Sequence, residues 1–117
     1  MSYDPGPELD LEIAKKIFHY VIIVETSGEV YSLNSHTNEK RPIEQFSIDT
    51  NEAYKVIQFM NQHGYMYDIR SFLTENGGLL WTAGFFNILN SNNVIRFQGK
   101  YLAHAVCVAA LSLIDKI

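Results

Sequence analysis

The chain has 117 residues, a single cysteine and a net charge of −4 at pH 7, with thirteen acidic against nine basic side chains. This length is typical of one domain, and an apolar fraction of 47% belongs to a globular rather than a disordered protein. The charge balance disfavours general nucleic-acid binding, and the lone cysteine excludes an intramolecular disulfide and favours a reducing compartment such as the cytoplasm.

The N-terminal half predicts a leader, a helix and strand-forming segments. Two prolines and a glycine predict a flexible leader over residues 1–7, without the charge and apolar run of a signal peptide, ahead of a single domain over residues 8–117. Apolar residues at helical spacing predict a helix over Glu8–Phe18. The β-branched run in Tyr20–Glu25 predicts a strand, and Glu29–Leu33 is compatible with the second strand of a hairpin.

Two segments follow in the middle of the chain. Polar and turn-forming residues predict a long loop from Asn34 to Gln45. The next helix is predicted over Thr50–His63, with Asp49 as its N-cap and Glu52 completing a capping box. Gly64 supplies the left-handed residue that ends the helix.

The C-terminal half predicts an antiparallel three-stranded meander and a helix. The strands are Tyr65–Leu73, Leu79–Leu89 and Val94–Gln98, separated by an Asn76-Gly77 turn and a turn over residues 90–93. The second strand is apolar on both faces, which predicts a central strand covered on both sides. The helix over Tyr101–Lys116 is apolar all round and therefore predicted to be buried, but it is far shorter in apolar length than the ~20 residues of a membrane span.

Three segments resemble the phage ABA-sandwich domain family of small phage and prophage proteins. They are the opening helix around Glu12–Phe18, the segment Phe46–Ile57 with its capped helix, and the closing apolar helix Leu102–Leu111. The resemblance implies an α+β fold, a three-layer helix–sheet–helix sandwich with an antiparallel meander and a buried C-terminal helix. It also implies a phage or prophage origin and a place in the host-cell cytoplasm, and it transfers no active site.

No residue set in the sequence has the spacing of a catalytic or metal centre. His104 and Cys107 stand one helical turn apart without a third partner, and a buried cysteine is usually inert. We therefore predict no catalytic residue, no metal ligand and no cofactor, although a small hydrolase stays a third alternative.

Two groups of residues are candidates for ligand binding. Arg96, Gly99, Lys100, Tyr101 and His104 lie where the last strand meets the last helix, and free N–H groups at a helix start favour an anion. The alternative is an ordinary strand-to-helix turn. The second group is the aromatic sheet face with Tyr67 and Trp81, beside Tyr65 and Phe85, which either stacks on a nucleobase or belongs to the core.

The function predicted first is a non-enzymatic phage or prophage accessory protein that sequesters a small anionic, nucleotide-like ligand in counter-defence. The alternative is a protein–protein interaction module that inhibits a host protein. An exposed face on the last helix would favour the interaction module, whereas a pocket bearing Arg96 and Lys100 would favour the ligand binder. Because the last helix is apolar all round, we also predict a homo-oligomer, with that helix or a sheet edge at the interface.

Overall fold

The computed structural model describes residues 4–33, 37–87 and 96–115. In these ranges the chain forms two antiparallel three-stranded sheets, β1-β2-β3 and β4-β5-β6, together with three helices, which confirms the α+β class. The elements in chain order are α1 (Pro7–Lys16), β1 (Val21–Val24), β2 (Val30–Leu33), β3 (Lys40–Pro42), α2 (Thr50–Gln62), β4 (Tyr65–Leu73), β5 (Leu79–Asn87), β6 (Phe97–Gly99) and α3 (Leu102–Asp115).

Parts of six sequence-based predictions fall outside the described residues. They are the end of the second meander strand at residues 88–89, the turn over 90–93, the start of the third meander strand at Val94, leader residues 1–3, loop residues 34–36 and the end of the last helix at Lys116.

The first helix, α1, begins one residue inside the predicted leader. Pro7 occupies its first turn, where a fixed φ suits the helix and a missing N–H costs nothing. The chain leaves α1 through His19, which has a φ of +55° in the left-handed region. The N–H of Tyr20 then donates to the carbonyl of Ala14 at 2.9 Å, so the exit turn is fixed against the helix.

The first sheet confirms the hairpin and corrects the long loop. β1 and β2 pair antiparallel across a turn in which Gly28 has a φ of +92°. The prediction that Asn34–Gln45 is a loop throughout is wrong, because β3 pairs with the outer edge of β2. All three β3 residues are exposed, so no apolar alternation marks the strand, and Pro42 is tolerated because the strand lies at the sheet edge.

The second helix, α2, starts and ends where the sequence predicts, to within one residue. The carboxylate of Asp49 accepts the N–H of Asn51 at 2.9 Å, which confirms the N-cap. The reciprocal bond of the capping box does not form: the Asp49 N–H donates to the Gln45 carbonyl, and Glu52 pairs with Lys55 at 2.8 Å. Gly64, with a φ of +89°, ends the helix as predicted.

The second sheet is the predicted antiparallel meander. β4 has the predicted bounds and pairs with β5 along all nine of its residues, and Gly77 turns the chain with a φ of +80°. β5 is the central strand, with β6 on its other side. The described part of β6 spans Phe97–Gly99, pairs with Trp81–Ala83 of β5, and leads into the start of α3.

The last helix, α3, forms the centre of the core. Ala103 through Leu111 are buried except Val108, which is half-buried. One copy of the chain provides this cover, because α1, α2, β5 and β6 all contact α3. Burial of the helix is therefore confirmed, while the oligomer inferred from it is not required to cover the helix.

The two faces of the second sheet differ. Tyr65, Ile69, Trp81 and Phe97 pack against the core, and Ala83 and Phe85 belong to it. We call the opposite face the open face: it comprises Met66, Asp68, Arg70 and Phe72 of β4 and Leu80, Thr82, Gly84 and Phe86 of β5. None of these side chains belongs to the described core, so neither the predicted cover on both sides of β5 nor the exact three-layer order is confirmed.

Candidate functional site

The predicted anion site lies where β6 meets α3, and Gly99 sets its geometry. A Cβ at Gly99 would lie 2.4 Å from the backbone nitrogen of Ala105 and 2.7 Å from its Cα. Only a glycine therefore allows β6 to approach the first turn of α3 this closely. Gly99 is buried and forms part of the packing between strand and helix.

Backbone N–H groups at this turn already have acceptors within the chain. The Lys100 N–H donates to Nδ1 of His104 at 2.9 Å, and the Ala105 N–H donates to the Tyr101 carbonyl at 3.0 Å. His104 is buried, whereas Tyr101 is half-exposed. The structure thus brings Gly99, Lys100 and His104 together. The imidazole of His104 accepts the hydrogen bond of the Lys100 N–H, one of the groups that the sequence analysis assigned to an anion.

Arg96, the main cation of the predicted site, extends onto the open face. Its Nη2 lies 3.0 Å from Oδ2 of Asp68, and Asp68 also accepts from Nε of Arg70 at 3.1 Å. These guanidinium groups, Arg96 first, hold the pKa of Asp68 below its usual range. Arg96 therefore forms an ion pair within the sheet and is not directed at the start of α3.

The aromatic residues of the second sheet were predicted either to belong to the core or to stack on a nucleobase. Some of them lie in the core, and one is exposed. Trp81 lies directly opposite Gly99 in the sheet and packs against the core, as Tyr65 does, and Phe85 is buried. Tyr67 shares their face but is 47% exposed. The described structure therefore assigns Trp81 mainly to packing and leaves Tyr67 accessible.

Cys107 is chemically quiet in its environment. The side chain is fully buried, and burial, with a smaller contribution from the charge of Asp10, raises the pKa of the thiol far above its usual range. Within the part of the chain that the structure describes, no group of three His, Cys, Asp or Glu side chains could hold a metal ion.

A cleft with a volume of about 390 Å³ lies between the exit of α1 and the first sheet. We call it the α1–sheet cleft. Three chain segments line it: the α1–β1 connection, the end of β2, and β3 with the residues after it. Its lining consists of Phe18, His19, Tyr20, Val21, Ser32, Leu33, Arg41 and Glu44. The volume falls within the range of small-molecule sites, which is about 300–1,000 Å³.

One wall of the α1–sheet cleft is aromatic and anchored to the core. Phe18 stacks on Tyr20 with ring centroids 5.5 Å apart and on the fully buried Phe46 at 5.1 Å. The left-handed backbone of His19, unusual for a residue with a side chain, separates Phe18 from Tyr20 and leaves the imidazole exposed. Both aromatic rings are thereby held in place at the cleft.

The other wall is polar and contains groups of both charge signs. Arg41 is 63% exposed along its side chain, and the buried hydroxyl of Ser32 donates to the Arg41 carbonyl at 3.4 Å. Oε2 of Glu44 is buried and has no hydrogen-bond partner among the described residues. Burial, more than any neighbouring charge, raises the pKa of the Glu44 carboxyl, and burial followed by the Glu44 charge raises that of Tyr20.

Sequence reasoning did not identify the α1–sheet cleft. Its residues lie in a helix exit and in a segment interpreted as a loop, and pairing of β3 with β2 brings these segments together. The available signal was local: Phe18-His19-Tyr20 places two rings and an imidazole between a helix and a strand, and Arg41 and Glu44 lie on either side of Pro42-Ile43.

Comparison of the chain with protein-family models, with curated proteins and with solved structures finds no match. The site is therefore interpreted from its own geometry. Among the described helices, none has the length and hydropathy needed to cross a bilayer.

Proposed function

We propose that this chain is a non-enzymatic binding protein that takes a small, nucleotide-like anionic ligand in the α1–sheet cleft. The observation that carries the proposal is the composition of the cleft, in which the rings of Phe18 and Tyr20 and the guanidinium of Arg41 line one cavity. A flat ring and an anionic group are the two parts of a nucleotide, and these side chains suit both parts.

The two parts of the ligand have separate positions in this proposal. Its ring packs against Tyr20, which Phe18 holds from behind by stacking at 5.5 Å. Its anionic group lies at Arg41, whose guanidinium forms a long ion pair with Glu39, with Nη2 4.0 Å from Oε2. His19 adds an exposed imidazole, and the buried Ser32 adds a hydroxyl to the lining of the cleft.

Glu44 favours a ligand that also carries hydrogen-bond donors. A carboxylate oxygen that is buried without a donor carries a desolvation cost. A small rearrangement of the cleft that turned this carboxylate toward an N–H of the ligand would relieve that cost. Nucleobases carry such N–H groups on their edges, whereas inorganic phosphate carries none and adds negative charge beside the carboxylate.

The biological setting of the proposal rests on the family resemblance. The likeness of Glu12–Phe18, Phe46–Ile57 and Leu102–Leu111 to the phage ABA-sandwich family supports a phage or prophage accessory protein that acts in the host cytoplasm. It also supports the three-layer sandwich as the finer description of the fold. Sequestering a nucleotide messenger of a host defence is then the proposed role, since sequestration requires binding and no catalysis.

A second candidate, an interaction module that inhibits a host protein, is favoured by one observation. On the open face, Met66 and Phe72 are 47% and 46% exposed beside the Asp68–Arg96 ion pair. Such an apolar surface with charges is typical of a protein interface. The last helix does not provide this surface, because α3 is buried.

Titration calorimetry with inorganic phosphate and with linear and cyclic nucleotides tests the proposal. Val21 lines the cleft and is 54% exposed, so Val21→Trp should obstruct the site without burying a new charge. Val24, in the same strand and 67% exposed, does not line the cleft, and Val24→Trp is the matched control. We expect at least about tenfold weaker nucleotide binding in Val21→Trp, a loss of ~1.4 kcal/mol, and unchanged binding in Val24→Trp. No heat from any compound, or equal binding in both variants, contradicts the proposal.

A further inference from the structure

The outer edge of β4 is a long strand edge without a described neighbour. β4 pairs with β5 on one side over its full nine residues, from Tyr65 opposite Asn87 to Leu73 opposite Leu79. Among the described residues no strand lies on its other side. An outer strand exposes a row of unpaired N–H and C=O groups, which is a template for pairing with another chain.

β4 lacks three of the features that usually protect such an edge: a proline, a bulge and a short length. Its sequence, Tyr-Met-Tyr-Asp-Ile-Arg-Ser-Phe-Leu, contains neither proline nor glycine, and its register with β5 is continuous without a bulge. Proteins commonly blunt an edge with proline, a bulge or a very short strand. β3, the outer strand of the other sheet, shows two of these devices, since it has three residues and includes Pro42.

We propose that β4 pairs antiparallel with β4 of a second copy of this chain, with Ile69 on the two-fold axis. This register joins the two meanders into one six-stranded sheet. It places Met66 opposite Phe72 of the second copy, Asp68 opposite Arg70 of the second copy, and Tyr67 opposite Ser71 of the second copy. Residues directly opposite in an antiparallel pair have Cβ atoms about 4.5–5.5 Å apart, so each pair is in contact.

Charge complementarity favours β4 of a second copy as the partner strand. Asp68 and Arg70 lie on the open face two residues apart, with Nε of Arg70 3.1 Å from Oδ1 of Asp68. Around the two-fold axis, two aspartates and two arginines would form a square in which every nearest neighbour has the opposite charge. Within one copy Asp68 also accepts from Arg96, which precedes β6 on the other side of β5. At the outer edge of β4 the attraction between copies would therefore come from Asp68 and Arg70 of opposite copies.

The apolar ends of the strand support the same register. Met66 and Phe72 are both close to half-exposed in one copy, and in the paired sheet each covers the other on the open face. A pairing shifted by two residues would instead place Asp68 opposite Phe72 or Asp68 opposite Asp68. The opposite-charge pairs and the apolar pairs therefore favour the same register, the one with Ile69 on the two-fold axis.

Sedimentation over a range of protein concentrations tests this interface with two charge reversals. Arg70→Glu places acids opposite acids, and Asp68→Lys places bases opposite bases, so each variant alone should dimerise at least about tenfold more weakly than wild type. An equimolar mixture of the two should recover the dimer, because Lys at 68 then faces Glu at 70 and Arg70 faces Asp68. Lys15→Glu, on the exposed side of α1, changes the charge by the same amount as Arg70→Glu; it is the matched control for that variant and should dimerise as wild type does.

Two kinds of outcome would overturn the proposed dimer. Wild type that stays monomeric at several hundred micromolar (roughly −4 to −5 kcal/mol of association free energy) overturns the proposal. A dimer that both reversals leave intact, or that their mixture fails to restore while far-ultraviolet circular dichroism shows both variants folded, overturns it as well. Ligand binding does not enter this test, because no residue of β4 lines the α1–sheet cleft.

Discussion

Asp10 and Ser47 connect the start of α1 to the segment before α2. Oδ1 of Asp10 accepts the Ser47 N–H at 2.8 Å and the Ser47 hydroxyl at 2.6 Å, and the Gly6 N–H donates to that hydroxyl oxygen at 2.9 Å. Both side chains are buried. Burial raises the pKa of Asp10 above its usual range, although the two bonds from Ser47 act in the opposite direction.

Asp10→Asn should therefore alter the pH dependence of stability in a defined direction. A carboxyl group whose pKa is higher in the folded than in the unfolded chain binds its proton more tightly in the native state. The free energy of unfolding therefore falls as pH rises above 3.8, the usual pKa of an aspartate side chain. The amide oxygen of Asn can accept both Ser47 bonds without a charge. We expect the free energy of unfolding of Asp10→Asn, minus that of wild type, to increase between about pH 3 and pH 7.

Urea denaturation at a series of pH values measures this difference. Asp10→Ala is the control, because it removes the acceptor and should destabilise by about 1–3 kcal/mol through the unpaired donors of Ser47. A difference between Asp10→Asn and wild type that decreases as pH rises would mean that the native state holds the ionised carboxylate instead.

At the scale of elements, α3 is buried to different extents along its length. Ala109 is 2% exposed within the core, whereas Leu113 is half-buried in the last turn. An unpaired charge costs more the more completely it is removed from water. Ala109→Asp should therefore abolish the cooperative thermal transition, and Leu113→Asp should lower the melting temperature while leaving a folded protein. Melting followed by circular dichroism checks this order, and equal effects of the two variants would contradict the burial gradient.

The elements show where sequence patterns suffice. Periodic and capped segments such as α2 and the β4–β5 hairpin were predicted within a residue or two, because their signals are local. β3 was missed because three exposed residues carry no pattern and only pairing with β2 makes them a strand. The apolar surface of α3 correctly indicated burial, but it could not show that α1, α2 and one sheet suffice to cover it.

The candidate site was harder to predict because its contacts are long-range. The sequence predicted that Arg96 lies near the start of α3 and binds a ligand there. Its guanidinium instead pairs with Asp68 of β4, a contact that depends on how the strands of the second sheet pair. The α1–sheet cleft combines residues separated by more than twenty positions, from Phe18 to Glu44. The prediction that Lys100, Tyr101 and His104 bind an anion stays a prediction, and it can be compared with the cleft directly.

At the scale of the whole molecule, the central claim is that the ligand binds in the α1–sheet cleft and not at the start of α3. The direct measurement is calorimetric titration of the best-binding nucleotide into wild type, Arg41→Ala and the double variant Arg96→Ala/Lys100→Ala. All three substituted side chains are exposed, so the fold should persist in each variant. We expect a loss of affinity of about tenfold or more for Arg41→Ala, since a charge-assisted bond contributes about 1.5–3 kcal/mol, and wild-type affinity for the double variant. Loss of binding in the double variant with wild-type affinity in Arg41→Ala would contradict the central claim.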